Sequence, residues 1–216
     1  MNSLLRVHYA CTSRVIAEAK VKRVAVFGGS FDPPHVGHVL AAKYLVSIGA
    51  VDEVTVVPVF EHAFHKPLTD FDIRLKLVEL AFSGESYVNV SPVERELPRP
   101  NYTLYTVRAL GQKRPDVQFR LVVGADVLFD IDRWHKFDEL VELSPLLVLG
   151  RVGVSHPSAP VAVLPSVSSS EIREHLAQQG TSPNAENEEI LRRLVPKAVL
   201  DHILMQGLYG LGKSWT

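Results

Sequence analysis

Short apolar runs recur along the chain at intervals that suit an alternation of strands and helices. Each run spans only a few residues, is rich in valine and leucine, and is followed closely by glycine, proline or a polar residue. Such runs are typical of the buried strands of a parallel sheet. The pattern predicts strands at Val24–Phe27, Val54–Val57, Val88–Val93, Phe119–Val123 and Leu146–Leu149, and a short one at Val161–Leu164.

Segments with apolar residues at helical spacing lie between these runs. The first segment, Gly37–Ile48, is apolar nearly all round, so we expect it to be well buried. Thr69, three residues before Asp72, predicts the start of the second helix as an acidic variant of the capping box. Further helices are predicted at Tyr102–Leu110, Asp132–Leu143, from a Ser168 or Ser169 cap to about Gln179, at Asn184–Leu194, and from Pro196 to about Gln206.

The alternation of strands and helices predicts the fold class. It indicates an α/β, Rossmann-like parallel sheet with helices on both faces and a small helical part at the C-terminus. We assign residues 22–216 to one domain and residues 1–21 to an N-terminal extension. In such sheets ligands bind beyond the carboxyl ends of the strands, so the loops that follow the strands are the segments to search for chemistry.

Composition excludes several classes of partner. The chain has 216 residues, with 23 Lys and Arg against 24 Asp and Glu, for a net charge of −1. The chain has no excess of basic residues, so its charge does not favour nucleic acid or an anionic membrane surface as a partner. No apolar run approaches the ~20 residues that a membrane-spanning helix needs. A small anionic ligand stays compatible, because it requires only a local cluster of donors.

The extension and the single cysteine bear on the compartment. Cys11 has no second cysteine for an intrachain disulfide, which fits a reducing, cytoplasmic location. The first 21 residues carry Arg6, Arg14 and Lys20 against one acid, Glu18. A presequence is therefore one interpretation of this segment, and a loosely docked extension is the other.

The loop after the first strand has the composition of a phosphate-binding loop. Gly28, Gly29 and Ser30 leave the strand without bulky side chains, so backbone amides there can approach a phosphate closely. His35 and His38 follow at the start of the next helix, and at this spacing both rings can face one ligand. Each ring can donate to phosphate oxygens, more strongly when protonated. Metal binding is the alternative, although no third ligand stands at a telling spacing.

A second candidate site begins at Val167. Ser168, Ser169 and Ser170 open a helix, where their hydroxyls can simply cap free backbone amides. The same helix start, with Arg173 one turn further on, can also bind an anion through hydroxyls, amides and a guanidinium group. Together with the glycine loop, it suggests a triphosphate held between two helix N-termini.

These motifs resemble the nucleotidylyltransferases that carry an HxGH signature. His35-Val36-Gly37-His38 matches HxGH, and Val167–Arg173 matches the I-S-S-T-x-I-R motif with valine for isoleucine and Ser170 for threonine. Within that group, the chain resembles most the nicotinate-nucleotide adenylyltransferase family. Further matching segments are Gly28–Pro33, Lys66 with Arg74-Leu75, Glu94 with Tyr102-Thr103, Val123–Asp126, Trp134–Lys136, Val195-Pro196 and Leu208-Tyr209.

The resemblance implies that the chain transfers the adenylyl group of ATP to nicotinate mononucleotide, with Mg²⁺ bound through the ATP phosphates. The resemblance implies that His35, His38 and Arg173 contact the ATP phosphates and stabilise the charge that develops during transfer. Three alternatives stay open: a nicotinamide-mononucleotide or dual-specificity enzyme, a phosphopantetheine adenylyltransferase, and a nucleotide-binding regulatory module without turnover. The expected partners are ATP and a pyridine mononucleotide, and a homo-oligomer is left open. The expected ATP-binding residues are Gly28, Gly29, Ser30, Phe31, Gly124, Asp126, Arg151, Ser169 and Ser170.

The mononucleotide side rests on fewer matches. Lys66 is a candidate for its phosphate, as is Ser30, although Lys66 can equally be a solvated loop charge. Trp134 can stack on the pyridine ring and Thr103 can make a polar contact with it, with Tyr102 beside them. Simple core packing is the alternative interpretation of Trp134.

Overall fold

The computed structural model describes residues 21–61 and 67–211. Its centre is a parallel sheet in the order β3-β2-β1-β4-β5, which confirms the predicted α/β, Rossmann-like class. All five strands form at or beside the predicted apolar runs. They are β1 Lys22–Gly29, β2 Glu53–Pro58, β3 Val88–Val90, β4 Val117–Gly124 and β5 Leu146–Leu149.

Seven α-helices are formed within the described ranges, and they cover both faces of the sheet. Ala25 of β1 joins one apolar core with α1, α2, α5, α6 and α7, whereas its neighbours Val24 and Val26 join a second core with α3 and α4. The C-terminal helices therefore pack into the same core as α1 and α2. The bounds are α1 Val36–Ser47, α2 Phe71–Ala81, α3 Thr103–Lys113, α4 Phe137–Leu143, α5 Ser169–Thr181, α6 Ala185–Leu194 and α7 Lys197–Gln206.

The strand register brings the candidate loops to one edge of the sheet. Gly29 at the end of β1 lies opposite Pro58 at the end of β2, and Gly124 at the end of β4 lies opposite Leu149. The strand order reverses direction at β1 and β4, which is the position where open α/β sheets leave a crevice. The loops after β1 and β4 flank that crevice.

Several predicted helix boundaries differ from the structure, and three of the differences have a clear local cause. The cap of α2 is Asp70, not Thr69, because the Asp70 carboxylate accepts from the amides of Asp72 and Ile73. The helix α3 continues through Gly111 to Lys113, since a glycine near a helix end weakens the helix without breaking it. The helix α4 begins only at Phe137, because Lys136 has a φ of 50° and interrupts the helical turn that precedes it.

Two further predictions are wrong. Val161–Leu164 forms no strand, and the backbone of Pro160 to Ala162 lies instead directly against Gly150 at the end of β5. The predicted helix Gly37–Ile48 is not buried all round, because Leu40 of α1 is 40% exposed and Ile48, which follows the last residue of α1, is 56% exposed. The buried residues of α1 are Ala41, Ala42 and Leu45, so part of its apolar surface meets solvent.

The predictions about the N-terminal extension and the membrane can be compared with the structure only over the described residues. The N-terminal extension, apart from Val21, lies outside the described residues. Between residues 21 and 211, leaving out 62–66, no helix is long and apolar enough to cross a bilayer.

Candidate active site

The loop from β1 to α1 is shaped by close packing of aromatic side chains. Phe31 has a φ of 48°, and its ring is buried against Phe27 and His38, at centroid distances of 5.6 and 4.7 Å. A Cβ added at Gly29 would lie 3.1 Å from the Phe31 ring. The absence of a side chain at Gly29 favours this close approach, and Phe31 acts as a packed support beneath the loop.

The two histidines form one stacked unit at the start of α1. Their ring centroids are 3.7 Å apart, with 27° between the ring planes. The backbone amide of His35 donates to Nδ1 of His38 at 3.1 Å, so the neutral His38 ring carries its proton on Nε2. A Cβ added at Gly37 would lie 3.0 Å from Nδ1 of His35. The glycine of the signature thus makes room for the first histidine ring.

Burial keeps both histidine rings uncharged. The pKa of His35 is lowered from 6.5 to about 4, mainly because burial removes its hydration and also because Arg151 is nearby. The pKa of His38 is well below 6.5, through loss of hydration first, then His35 and Arg151. In the absence of a ligand, the histidines are neutral donors at pH 7 rather than cations. Within the described chain, Nδ1 of His35 is buried without a hydrogen-bond partner.

The N-terminus of α5 is docked directly on the same loop. Ser168 caps α5 by accepting from the amide of Glu171, as the sequence predicted for one of the two serines. The Ser169 hydroxyl donates to the carbonyl of Pro33 at 2.9 Å, and Arg173 donates to the carbonyl of Asp32 at 2.5 Å and to the Ser170 hydroxyl at 3.1 Å. These contacts join the two signature motifs into one wall.

A first cleft of about 370 Å³ opens between this wall and the ends of β4 and β5. Across the cleft from the histidines, Arg151 donates to a carboxylate oxygen of Asp126 at 2.7 Å. A Cβ at Gly124 would collide with the Asp126 carboxylate, so this glycine allows the acid to fold back over the end of β4. Ten of the predicted residues line the first cleft: Ser30, Phe31, His35, His38, Gly124, Asp126, Arg151, Ser169, Ser170 and Arg173.

A second cleft, of about 530 Å³, lies on the other side of the β1 end. The Tyr102 ring stacks on His135 at 4.3 Å and 14°, and the Tyr105 hydroxyl is 3.3 Å from Nε2 of the same histidine. These contacts hold the segment that carries Trp134 against α3. Seven predicted residues line the second cleft: Gly28, Gly29, Ser30, Tyr102, Thr103, Gly124 and Trp134.

The two clefts meet at the ends of the two central strands. Ser30 and Gly124 line both of them. The structure places Gly28 and Gly29 in the second cleft, although the sequence reasoning assigned them to ATP. Lys66, a candidate for the mononucleotide phosphate, lies outside the described residues.

The sequence reasoning gave no role to several polar residues that support this region. Glu94 is 5% exposed, and its carboxylate accepts from the Phe60 amide at 2.9 Å and the Thr106 hydroxyl at 2.8 Å. Burial raises the pKa of Glu94. Arg74 is also buried, and the Tyr209 hydroxyl donates to the Asp32 carboxylate at 2.9 Å. Only the family resemblance of their segments marks these residues in the sequence, because their partners are distant along the chain.

The side chains of the first cleft were compared with what a bound metal ion would need. Within residues 21–61 and 67–211, no three or more histidine, cysteine, aspartate or glutamate side chains form a group that could hold a metal ion. The two acids of the first cleft are engaged, Asp126 with Arg151 and Asp32 with Thr69 and Tyr209.

Known protein sequences that resemble this chain include several from one family of enzymes. Residues 26–175 match the Cytidylyltransferase-like family. A relative from Anaeromyxobacter dehalogenans, named a probable nicotinate-nucleotide adenylyltransferase, is 39% identical over 192 residues, which cover 87% of this chain and 97% of the relative. A relative of the same name from Myxococcus xanthus is 34% identical over 193 residues, which cover 89% of this chain and 97% of the relative.

Solved structures share the fold at lower identity. The Plasmodium falciparum nicotinic acid mononucleotide adenylyltransferase complexed with NaAD aligns with a TM-score of 0.71 and 20% identity, covering 89% of this chain and 100% of that chain. Its complex with APC aligns over the same shares, with a TM-score of 0.70 and 19% identity.

Proposed function

This chain belongs to the nicotinate-nucleotide adenylyltransferase family and is an adenylyltransferase of NAD biosynthesis, and from that premise we propose its substrates. It transfers the adenylyl group of ATP to nicotinate mononucleotide, giving deamido-NAD and pyrophosphate. The observation that carries this assignment is the meeting of two clefts at Ser30 and Gly124. A reaction that joins two nucleotides needs two adjacent pockets that open onto one point.

ATP occupies the first cleft. Its triphosphate lies between the histidine pair and the N-terminus of α5, where the helix dipole and the Arg173 guanidinium favour negative charge. The cleft also carries the hydroxyls of Ser169 and Ser170. On the adenosine side, the Asp126 carboxylate accepts from ribose hydroxyls, and Arg151, its ion-pair partner, lies near the adenine.

Nicotinate mononucleotide occupies the second cleft. Trp134 stacks on the pyridine ring, and Thr103, at the start of α3, makes a polar contact with it. Tyr102 braces this wall through its stack on His135. Gly28 and Gly29 leave room beside the end of β1, so the 5′-phosphate can reach Ser30, with Lys66 as a further candidate to bind it.

The chemical step is an in-line displacement at phosphorus. An oxygen of the mononucleotide 5′-phosphate forms a bond to the α-phosphorus of ATP, and the bond from that phosphorus to the oxygen bridging to the β-phosphate breaks. Pyrophosphate leaves with the electron pair. The attacking phosphate is already ionised at neutral pH, so no general base is needed, and the protein acts by positioning and charge stabilisation.

The histidines stabilise this step as donors. His38 presents its Nε2 proton, because its Nδ1 already accepts from the backbone of His35. A neutral ring in a partly buried site gives a directed hydrogen bond, and a polyphosphate brought beside it raises the pKa of both rings and strengthens the donation. Arg173 then stabilises the pyrophosphate as it leaves.

Mg²⁺ enters as part of the ATP substrate. The described side chains offer no metal-binding cluster of their own, which fits an ion held by phosphate oxygens. When bound there, Mg²⁺ neutralises part of the polyphosphate charge.

Pyrophosphate release tests the proposal. The purified protein is incubated with ATP and Mg²⁺ and with nicotinate mononucleotide, nicotinamide mononucleotide or phosphopantetheine, and kcat/KM is compared between acceptors. We expect nicotinate mononucleotide to be preferred and deamido-NAD to form. His38→Ala serves as the matched inactive control, with a kcat lower by roughly a hundredfold or more. Preference for another acceptor would refute the substrate assignment, and ATP binding without turnover on any acceptor would make the chain a binding module.

A further inference from the structure

We propose that Arg74 is a positioning residue for adenylyl transfer. Its buried guanidinium fixes Ser30, one of the two residues at which the clefts meet, without touching either substrate. This inference rests on the proposed function, because it assigns the meeting point of the clefts to the reacting phosphates.

The three nitrogens of the Arg74 guanidinium donate to three different segments. Nη1 donates to the carbonyl of Ser30 at 2.8 Å, Nε to the carbonyl of Thr69 at 2.8 Å, and Nη2 to the carbonyl of Phe60 at 3.4 Å. Ser30 belongs to the loop after β1, Phe60 follows β2, and Thr69 precedes α2. One side chain, on the first turn of α2, therefore fixes three pieces of backbone relative to one another.

Only arginine can make this set of contacts. Its planar guanidinium presents donors on three separate nitrogens, whereas a lysine carries all its donors on one nitrogen. The side chain is 1% exposed, and burial lowers its pKa while the nearby Asp32 raises it. The group nevertheless stays charged at neutral pH, because arginine is not deprotonated in proteins.

A buried cation is a poor means of stabilising a fold. The loss of hydration on burial largely offsets the favourable interactions, so an apolar side chain of similar volume often gives equal or greater stability. An apolar residue could fill the space at position 74, but it could not hold three carbonyl groups. The contacts of Arg74 are therefore better explained by the geometry that they impose on the loop.

Ser30 depends on Arg74 more than its neighbours do. Asp32 and Pro33, two and three residues further along, are held by Arg173, Ser169 and Tyr209. Those contacts keep the histidine side of the first cleft in place without Arg74. Loss of Arg74 should therefore shift Ser30 more than the histidine side of the first cleft, so ATP would still bind while the alignment of the two reacting phosphates is lost.

The test compares Arg74→Lys and Arg74→Ala with a matched control, Arg23→Lys. Arg23 donates to the Asp52 carboxylate at 3.3 Å near the start of β1, at the opposite end of the strand from the clefts. In both Arg74 variants we expect kcat with nicotinate mononucleotide to fall by ~10- to 100-fold, because a small displacement of a reacting group is costly. The KM for ATP should stay within about threefold of wild type. Arg23→Lys should leave kcat unchanged.

Chemical rescue separates positioning from a purely structural role. Added guanidinium ion, at concentrations that do not unfold the wild type, should restore part of the kcat of Arg74→Ala, whereas the same concentration of sodium chloride should not. The inference is overturned if folded variants keep wild-type kcat, if the loss lies entirely in the KM for ATP, or if neither variant folds. Wild-type protein that releases no pyrophosphate with nicotinate mononucleotide would instead refute the proposed function.

Discussion

Replacement of Gly37 by alanine should impair turnover while leaving the fold nearly as stable as before. Gly37 lies in the first turn of α1, directly beside the His35 ring. A methyl group there would lie 3.0 Å from Nδ1 and 3.1 Å from Cε1 of His35, so the ring must move by a few tenths of an ångström. His38 stacks on that ring at 3.7 Å and would be disturbed with it.

The two effects of this substitution on stability nearly cancel. Alanine favours a helix over glycine by up to about 1 kcal/mol. Moving the His35 side chain away from its preferred rotamer costs about 0.5–1.5 kcal/mol. We therefore expect a free energy of unfolding within about 1 kcal/mol of wild type. Turnover is more sensitive to the displacement, and we expect kcat to fall by about tenfold.

The assay is pyrophosphate release with ATP and nicotinate mononucleotide, combined with denaturant unfolding of the same preparations. Gly111→Ala is the matched control, because Gly111 also lies in a helix and a Cβ there meets no atom within 4 Å. It should stabilise the protein by about 0.5–1 kcal/mol and leave kcat unchanged. A Gly37→Ala enzyme with wild-type kcat would refute the reasoning that this glycine positions the histidine.

Three other predictions follow from contacts described above. Tyr209→Phe should lower the free energy of unfolding by about 1–3 kcal/mol, because it removes a donor from the buried Asp32 carboxylate; thermal and denaturant unfolding would measure this loss, and an unchanged stability would contradict it. The pKa of His35 is lowered to about 4 in the fold, so between pH 6.5 and about 4 only the unfolded state gains its proton. Stability should therefore fall across this range by about 3 kcal/mol, and His35→Gln should flatten the measured pH dependence. Trp134→Ala should raise the KM for the mononucleotide by about tenfold with little change for ATP, and the opposite pattern would place the pyridine elsewhere.

Local sequence signals located most elements but misjudged several of their ends. Apolar runs mark the strands because a parallel strand is buried on both faces. The end of α4 was predicted correctly, but its beginning was not, because the left-handed conformation of Lys136 occurs at a residue that does not signal a turn as glycine or asparagine would. The exposure of Leu40 and Ile48 was missed for a related reason. A helix that is apolar all round does not reveal which of its sides the rest of the chain will cover.

The candidate site was predicted in its members more fully than in its arrangement. The signature motifs identify His35, His38 and Arg173 because such motifs are contiguous in sequence. The position of Gly28 and Gly29 in the second cleft depends on the surroundings of β1, which no motif describes. The sequence marks Arg74 only as part of a matching segment, since its three carbonyl partners carry no sequence signature.

The sequence by itself determined the class of the fold, the family, and the two signature motifs. Each of these depends on patterns within short stretches of chain, where spacing dictates which side chains share a strand or a helix face. The tertiary structure alone decided that the histidines are neutral, that two clefts meet at Ser30 and Gly124, and that one buried arginine holds that meeting point. These properties depend on burial and on contacts between segments distant along the chain, which exist only once the parallel strands have brought their carboxyl ends together.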